Sequence, residues 1–511
     1  MHDNLGNYIM QQYLDSLNLK KILLIGLFFR VLSIIFSKGY AFTDDHYEVV
    51  VLAQNLLDKI DSPFTQDFLV NGEAYLFSLI YPYIHYLIFA TCEWFGTTNP
   101  ETKMLFARIV NSLFSLLSIY YGYKLTERLS NRKNDAKIVG LLLAVFWVFP
   151  FMSVRNLREF VCIPPLLIAC YYAVNPKLDN KSVLWAAFWF VIAFVFRYQI
   201  VFIPFTIGLA WLLTKNQWQK AILFGFGCIV FYLLTQGVFD YVYWGNPIAS
   251  IKAYFTFNAD AKNIEIYPNG PWHRYIGTMA GLTLGLSSLL FFAGYFKTAT
   301  QAGNRRILFL ASLFFFAFHS YYPNKQERFI LPFIPFFLIL GVIGFRDIYE
   351  TLQNKAWFRT TTKVLVYWFI VLNTILLCIL SVTYTKRSRV ESMNYFREKG
   401  DLQNFVVQNF QASQPVAIFY LNRRLDYYDI DTPKKLEELP NELKSGKKVY
   451  PNYLILVGSA DLEARLAMMK KIFPNLQHDT NIEPSFIDNI AYVLNPSHNH
   501  NETWFIYKIV R

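Results

Sequence analysis

The chain has 511 residues, 54% of them hydrophobic, 18% aromatic and only 16% charged, well below the quarter charged that soluble domains carry. Its 49 Phe, 34 Tyr and 11 Trp exclude intrinsic disorder, because so much apolar surface has to be buried. The 48 Lys and Arg exceed the 36 Asp and Glu by twelve, an excess that in such a chain sets membrane topology rather than nucleic-acid binding.

Apolar runs of spanning length, parted by short polar breaks, recur over the first three quarters of the sequence and predict a polytopic α-helical membrane protein. The N-terminal stretch is polar, Lys20-Lys21 opens the first run (Ile22 to Phe36), and no small-residue cleavage site follows, so this run reads as a retained span starting inside. Basic breaks belong on the cytoplasmic side. They are Lys124 to Lys137, Lys215 to Lys220, Lys297 to Arg306 and Arg346 to Lys363, with the weaker Asn175 to Lys181.

The alternate loops then face outside: Gly39 to Glu73, carrying Asp44, Asp45, Glu48, Asp58, Asp61, Asp67 and Glu73; Arg155 to Glu159; a turn near Arg197; Phe239 to Arg274; and Ser320 to Arg328. As a full span, Tyr75 to Phe95 would break this alternation. Its Pro82, His85 and Glu93 suit an interface, so it is assigned to a juxtamembrane helix on the outer face. Eleven spans result, ending with Val364 to Val382.

Composition changes at Lys386. Strand-length runs at Val416 to Leu421, Tyr453 to Val457 and Trp504 to Val510 alternate with helical stretches such as Asp461 to Phe473. They predict a small α/β domain (386–511) on the outer face beside a membrane-embedded catalytic domain (1–385). The cysteines, Cys92, Cys162, Cys170, Cys228 and Cys378, lack the spacing of a zinc site or redox pair and read as small buried hydrophobes. The sequence shows no internal repeat, Walker lysine or phosphate-binding glycine loop.

Ionisable groups at membrane depth are costly and mark function. Asp44 and Asp45 follow the first span at the water-lipid boundary, where two readings stand: capping of the next helix by Thr43 or Asp44, or a base acting on a lipid-linked sugar. Arg155, Arg158 and Glu159 sit at a second edge, open to headgroup contact or substrate binding. Arg197 lies between Phe194-Val-Phe196 and Ile200-Val-Phe202, so it meets an internal carboxylate or a bound phosphate. Lys325, Glu327 and Arg328 form a third edge. His319 reads as a packing residue, and Tyr81, Tyr83, Tyr86 and Tyr120 to Tyr123 as an interfacial belt.

The first span, the acidic pair and the long outer loop together resemble the GT-C glycosyltransferases. Asn324-Lys-Gln-Glu-Arg-Phe-Ile-Leu-Pro332 is similar to the His-Lys-Glu-x-Arg-Phe-x-x-Pro signature of glycosyltransferase family 22, the mannosyltransferases of N-glycan and GPI-anchor assembly. Asp240 to Gly245, Phe257-Asn258 and Tyr267 to Tyr275 resemble that family's Asp-x-x-x-Tyr-Gly, Phe-Asn and Tyr-Gly-x-x-Pro-Trp-His-Trp-Tyr series. Phe42 to Glu48 resembles its His-Pro-Asp-Glu-His-Phe-Gln run, which puts Asp44 on the catalytic aspartate and Asp45 on its acidic neighbour. Arg155 and Glu159 resemble its Arg-Thr-x-Ser-Asn or Arg-Thr-x-Ser-Glu segment. Departures are Phe42-Thr43 for His-Pro, Asn324 for His, Gln326 for the first Glu, and no clear counterpart of Thr-Trp-Glu-Trp or Arg-Ser between Asn71 and Pro82.

The resemblance implies an inverting glycosyltransferase moving a sugar, with mannose the first choice, from a polyprenyl-phosphate donor to a glycan or glycolipid acceptor on the outer face. No metal or other cofactor is implied. Asp44 and Asp45 are the catalytic candidates, and Arg155, Arg158, Glu159, Arg197, His273, Tyr275, Lys325, Glu327 and Arg328 the substrate-binding ones. The partners are the donor, the acceptor and membrane lipid, with no nucleic acid. The divergence from the family suggests a bacterial inner-membrane relative, with the endoplasmic reticulum as alternative. A lipid-linked oligosaccharide ligase or polymerase is the rival enzyme class. A transporter is the non-enzyme rival, and charges at the outer edge without a repeat speak against it.

Overall fold

The computed structural model describes residues 14–58, 74–260, 262–263, 267, 269–409, 415–494 and 499–510. The predicted loop carboxylates Asp61, Asp67 and Glu73 lie outside them. The helices, in chain order, are α1 (Leu19–Phe36), α2 (Leu52–Leu57, entered through Thr43–Asp45 and a π turn at His46–Val51), α3 (Ile80–Trp94), α4 (Pro100–Leu129), α5 (Lys133–Val145), α6 (Val148–Ser153), α7 (Arg158–Val161), α8 (Ile163–Ala173) and α9 (Asn180–Phe196). Then come α10 (Phe202–Leu213), α11 (Trp218–Tyr232), α12 (Val238–Trp244), α13 (Ala249–Ala259), α14 (Arg274–Leu282), α15 (Ser288–Lys297), α16 (Asn304–Tyr321), α17 (Ile334–Leu352) and α18 (Ala356–Leu380).

The C-terminal part runs α19 (Arg387–Lys399), β1 (Phe405–Gln408), β2 (Tyr428–Ile430), α20 (Pro433–Ser445), β3 (Tyr453–Val457), α21 (Leu462–Ile472), β4 (Leu476–Ile482), α22 (Phe486–Leu494) and β5 (Trp504–Ile509). The protein is therefore a helical, polytopic membrane protein with a small C-terminal α/β domain. The described residues form two compact units. One takes in 14–34, 74–84 and Arg108–Ser381, and the other Ile35–Asp58, His85–Ala107 and 382–510. Residues Ile35–Asp58 and most of α3 thus group with the C-terminal residues.

In the first unit, the basic breaks meet one another. Arg132 pairs with Asp135 (2.9 Å), Asp347 (2.7 Å) and Glu350 (3.0 Å), and Arg305 with Asp347 (3.3 Å). Lys137 donates to the Leu14 carbonyl (2.9 Å), Asn304 to that of Val174 (3.2 Å), and Lys220 to the Asn180 side chain (2.5 Å). All five breaks and the start of the described chain therefore share one end of the helices. Among the described residues, the elements that run between that end and the other are α1, α4, α5–α6, α8, α9, α10, α11–α12, α14–α15, α16, α17 and α18. Among the described residues, four helices qualify as spans singly by length and apolarity (Pro100–Leu129, Trp218–Trp244, Glu327–Leu352 and Ala356–Leu380), and the pair Arg274–Leu282 and Gly285–Thr300 qualifies together across a 104° bend. Helix α3, with 15 residues, does not qualify as a span by length, and neither do α8 with 11 or α10 with 12.

Breaks inside the crossings leave backbone groups that lipid cannot satisfy, so side chains do it. Where α5 stops before α6, Arg30 of α1 donates to the carbonyls of Leu143 (3.4 Å) and Ala144 (3.3 Å), with Ser115 Oγ at 2.7 Å. Asn373 donates to the Val145 carbonyl (2.9 Å) and accepts from Trp147 N–H (3.0 Å). At the α14–α15 bend, the Trp147 and Trp368 indoles donate to the carbonyls of Leu282 (3.2 Å) and Leu284 (2.8 Å). No disulfide forms: Cys92, Cys162 and Cys170 are buried and Cys228 partly so, whereas Cys378, against the expectation of burial, is exposed on the surface of α18.

In the second unit, a five-stranded mixed sheet has the order β2-β1-β3-β5-β4, with β2, β1 and β3 parallel and β5 antiparallel to both neighbours. One core includes Phe405, Val407, Ile455 and Ile506 of the sheet, Val390, Met393 and Phe396 of α19, and Val50, Ala53 and Phe89 of the first loop and α3. The strand expected at Val416 to Leu421 is instead a 3-10 turn, Ile418–Leu421. Phe419, Tyr420 and Leu421 are buried in succession rather than alternately, with Phe419 and Tyr420 packed against His46.

Candidate active site

The first unit assembles a buried ionic group from three sequence-distant edges. Glu159 stands in the first turn of α7, Arg197 at the extended residue that ends α9, and Arg328 in the 3-10 turn Glu327–Phe333 that leads into α17. Glu159 is 2% exposed and lies 3.0 Å from Arg197 Nη1 and 3.5 Å from Arg328 Nε. Burial pushes its carboxyl up, but the guanidiniums of Arg197 and Arg328, joined by Arg158, more than reverse this and hold it below the usual carboxylate range. Arg197 is 6% exposed, and two of its groups, Nε and Nη2, have no acceptor among the described residues. Arg158 stacks 4.3 Å over the Phe77 ring and reaches the Tyr75 hydroxyl at 3.4 Å. Arg155, also buried, lies over Phe151 (4.8 Å) and helps line a small cavity with Asn111 and Ser153.

Two sequence motifs about fifty residues apart interlock beside this group. Asn269 and Asn324 form an antiparallel bridge, and Gly270 N–H donates to the Pro323 carbonyl (3.2 Å). Arg274 pairs with Glu327 at 2.6 Å. Tyr275 is tied to the backbone of Gln326, whose side chain accepts from Arg328 Nε (2.9 Å). Gln326, a departure from the motif pattern, therefore holds Arg328 as a neutral acceptor. Asp240 accepts from Gln236 (2.6 Å) and from Ser250 N and Oγ (3.0 and 2.7 Å), which fastens α12 to α13. The Tyr322 hydroxyl donates to the Asn258 carbonyl (3.1 Å).

Not every candidate points at substrate. Lys325 spends its ammonium protons on the carbonyls of His319 (2.9 Å), Ser320 (2.8 Å) and Tyr322, so it caps α16 and has none left for a phosphate. His273 is exposed at the N-cap of α14, edge-on to Trp272. His319 is buried and hydrogen-bonded to the Phe315 carbonyl (2.8 Å), the packing role expected of it. An apolar cavity of about 520 Å³ opens between α14–α15, α16 and α17, lined by Trp272, Ile276, Tyr295, Phe316, Tyr321 and Phe337.

The acidic pair belongs to the second unit. Phe42, not Thr43 or Asp44, occupies the cap position of the first turn and makes no side-chain cap. Asp44 is exposed and Asp45 is 3% exposed. His46, next along, is stacked between Tyr40 (4.6 Å) and Tyr420 (5.7 Å). Burial, with Lys386 nearby, draws its pKa down to about 3, so it is a neutral packing group. Lys386, which the sequence reading did not single out, has its ammonium 4.9 Å over the Tyr40 ring. Burial and then Arg389 lower its pKa to about 7 against the opposing charges of Asp488, Asp45 and Asp44. A signal was available, since Lys386 is a cation just beyond the last span. Among the described residues no group of three or more His, Cys, Asp or Glu is placed to hold a metal ion.

Residues 21–420 match the Alg9-like mannosyltransferase family. The chain belongs to that family. It is 23% identical over 413 residues to GPI mannosyltransferase 3 of Debaryomyces hansenii, covering 76% of this chain and 70% of the relative. A mannosyltransferase of Arabidopsis thaliana is 21% identical over 512 residues, covering 90% and 88%. A Candida glabrata GPI mannosyltransferase 3 is matched over 54% of its length, with 22% identity and 61% of this chain covered. The fold is that of ArnT from Cupriavidus metallidurans, with a TM-score of 0.60 at 12% identity over 96% of this chain and 97% of that one. The oligosaccharyltransferase of Archaeoglobus fulgidus shares it at 0.51 and 13% identity, covering 88% and 69%. The protein is thus a mannosyltransferase-family enzyme on a GT-C fold.

Proposed function

We propose that this enzyme transfers mannose from a polyprenyl-phosphate donor to a hydroxyl of a glycan or glycolipid, with inversion at the anomeric carbon and no metal. One observation carries the reading: a buried arginine, Arg197, is held by Glu159 yet its Nε and Nη2 have no acceptor among the described residues, a setting for phosphate oxygens. Arg328, steadied by Gln326, supplies a second guanidinium. The aromatic cavity between α14–α15 and α16 suits an isoprenoid chain, and ArnT from Cupriavidus metallidurans, which shares the fold, binds undecaprenyl phosphate.

Asp44 is the base. As the acceptor oxygen attacks the anomeric carbon, its proton passes to the Asp44 carboxylate, the bond to the phosphate oxygen breaks, and polyprenyl phosphate leaves. The site faces the non-cytoplasmic side, which is the outer leaflet of a bacterial inner membrane or the equivalent lumenal leaflet of an endoplasmic reticulum.

The test is transfer by purified protein in proteoliposomes with polyprenyl-phosphate mannose, its glucose and arabinose analogues, and a panel of glycolipid acceptors. Arg197→Ala should raise the KM for the donor far more than that for the acceptor. Transfer from a sugar nucleotide but not from the polyprenyl phosphate would refute the donor assignment.

A further inference from the structure

Helix α22 is inverted for a soluble domain. Its buried side carries a carboxylate, Asp488, while Phe486, Ile490, Val493 and Leu494, one face at spacings of four, three and one, are 71%, 36%, 78% and 78% exposed. The helix forms for local reasons. Ser485 and Asp488 cap reciprocally, Asp488 N–H donating to Ser485 Oγ (3.1 Å) and Ser485 N–H to Asp488 Oδ2 (3.2 Å). An apolar stripe of this kind left facing water would be an unpaid liability.

Its anchorage says what covers it. Asp488 also accepts from the backbone N–H groups of Lys386 (2.8 Å) and Arg387 (3.1 Å), so the first turn of α22 is pinned to the start of α19. The preceding residue, Thr385, pairs with the exit of the first span: its N–H donates to the Lys38 carbonyl (3.1 Å), and Gly39 and Thr385 form a parallel bridge. Lys38 is two residues beyond the end of α1, whose terminal Ile35 and Phe36 are exposed, as lipid-facing residues are. A chain of hydrogen bonds therefore sets the start of α22 at the boundary where α1 leaves the bilayer. Exposed Arg387 and partly exposed Lys38, the latter 3.8 Å from Glu101, add positive charge at this junction, which suits headgroup phosphates.

We propose that α22 is an interfacial helix that inserts Phe486, Ile490, Val493 and Leu494 into the acyl boundary of the leaflet reached by α1, fixing the C-terminal domain to the membrane surface. The helix lies beyond residue 420, where the family match ends, and the proposal holds whichever sugar is transferred.

The experiment uses the full chain in phosphatidylcholine–phosphatidylglycerol nanodiscs, with Cys228→Ser and Cys378→Ser as background. An environment-sensitive fluorophore is placed at Val493→Cys or, separately, Leu494→Cys, with Lys444→Cys on exposed α20 as the water control. The expected result is blue-shifted emission at 493 and 494, quenched several-fold more by doxyl-labelled lipid than by aqueous iodide, with the reverse at 444. Iodide quenching at 493 and 494 equal to the control would overturn the proposal. So would blue-shifted emission indifferent to both quenchers, which would mean that a protein surface, such as a second copy, covers the helix.

Discussion

Tyr275 and Gln326 exchange two hydrogen bonds: the phenol donates to the Gln326 carbonyl at 3.0 Å and accepts from the Gln326 N–H at 3.1 Å. Both groups lie next to Arg328, whose Nε rests on the Gln326 side chain. Tyr275→Phe removes both bonds and leaves a donor and an acceptor short of partners, a cost of about 1–3 kcal/mol. Because the loss falls on the segment that positions Arg328, we expect a higher KM for the donor with little change in that for the acceptor. Equal effects on both substrates would make the tyrosine a general structural residue.

Asp44 and Asp45 differ in environment, which separates their variants. Asp44 is exposed, so Asp44→Asn should leave thermal stability unchanged while lowering turnover by about a hundred- to ten-thousandfold, the usual loss on removing a general base. Asp45 is buried in the unit that also holds Lys386. Asp45→Asn should lower the melting temperature and spare measurable turnover. Turnover rates and melting curves of both variants in detergent check this, and a dead Asp45→Asn beside an active Asp44→Asn would swap the roles.

Helices α15 and α17 cross at glycines. A Cβ on Gly294 would stand 1.8 Å from the Gly341 carbonyl oxygen, and one on Gly344 would stand 2.0 Å from that of Gly294, so backbone meets backbone with no room for a methyl. Small residues let helices approach this closely in lipid, where packing rather than the hydrophobic effect drives association. Gly294→Ala should therefore separate the two helices and lower yield and thermal stability, whereas Gly277→Ala, with open space around it, should not. Fluorescence-detected size exclusion with heating reads both.

The grouping of the basic loops was legible because the charge rule acts on whole loops, and Arg132, Arg305 and Asp347 join three of those breaks at one end. The pairing of Arg197 was legible, since an arginine in an apolar hairpin needs an internal carboxylate or a bound phosphate, and Glu159 is such a carboxylate. What escaped depends on long-range geometry. Arg30 was visible inside the first apolar run, but nothing local says that it serves the carbonyls of α5. Lys325 carries the right charge at the right edge and is spent on the backbone of α16. The Val416 to Leu421 run had strand composition, yet burial of consecutive side chains against His46 wound it into a turn.

Lys386 gives the clearest pH dependence. An exposed lysine loses its proton near pH 10.4, whereas burial, aided by Arg389 and resisted by Asp488, Asp45 and Asp44, brings Lys386 to about 7. Between these values the unfolded chain binds a proton that the folded chain does not, so stability should rise with pH across the window and be flat in this respect below 7. Lys386→Met should remove this slope. Lys386→Arg, which cannot shed its proton, should match wild type at pH 6 and fall below it progressively from pH 7 to 9, by melting temperatures in detergent. If the arginine variant tracks wild type over the whole range, the lysine stays charged in the folded protein, and Asp45, Asp44 and Asp488 outweigh its burial.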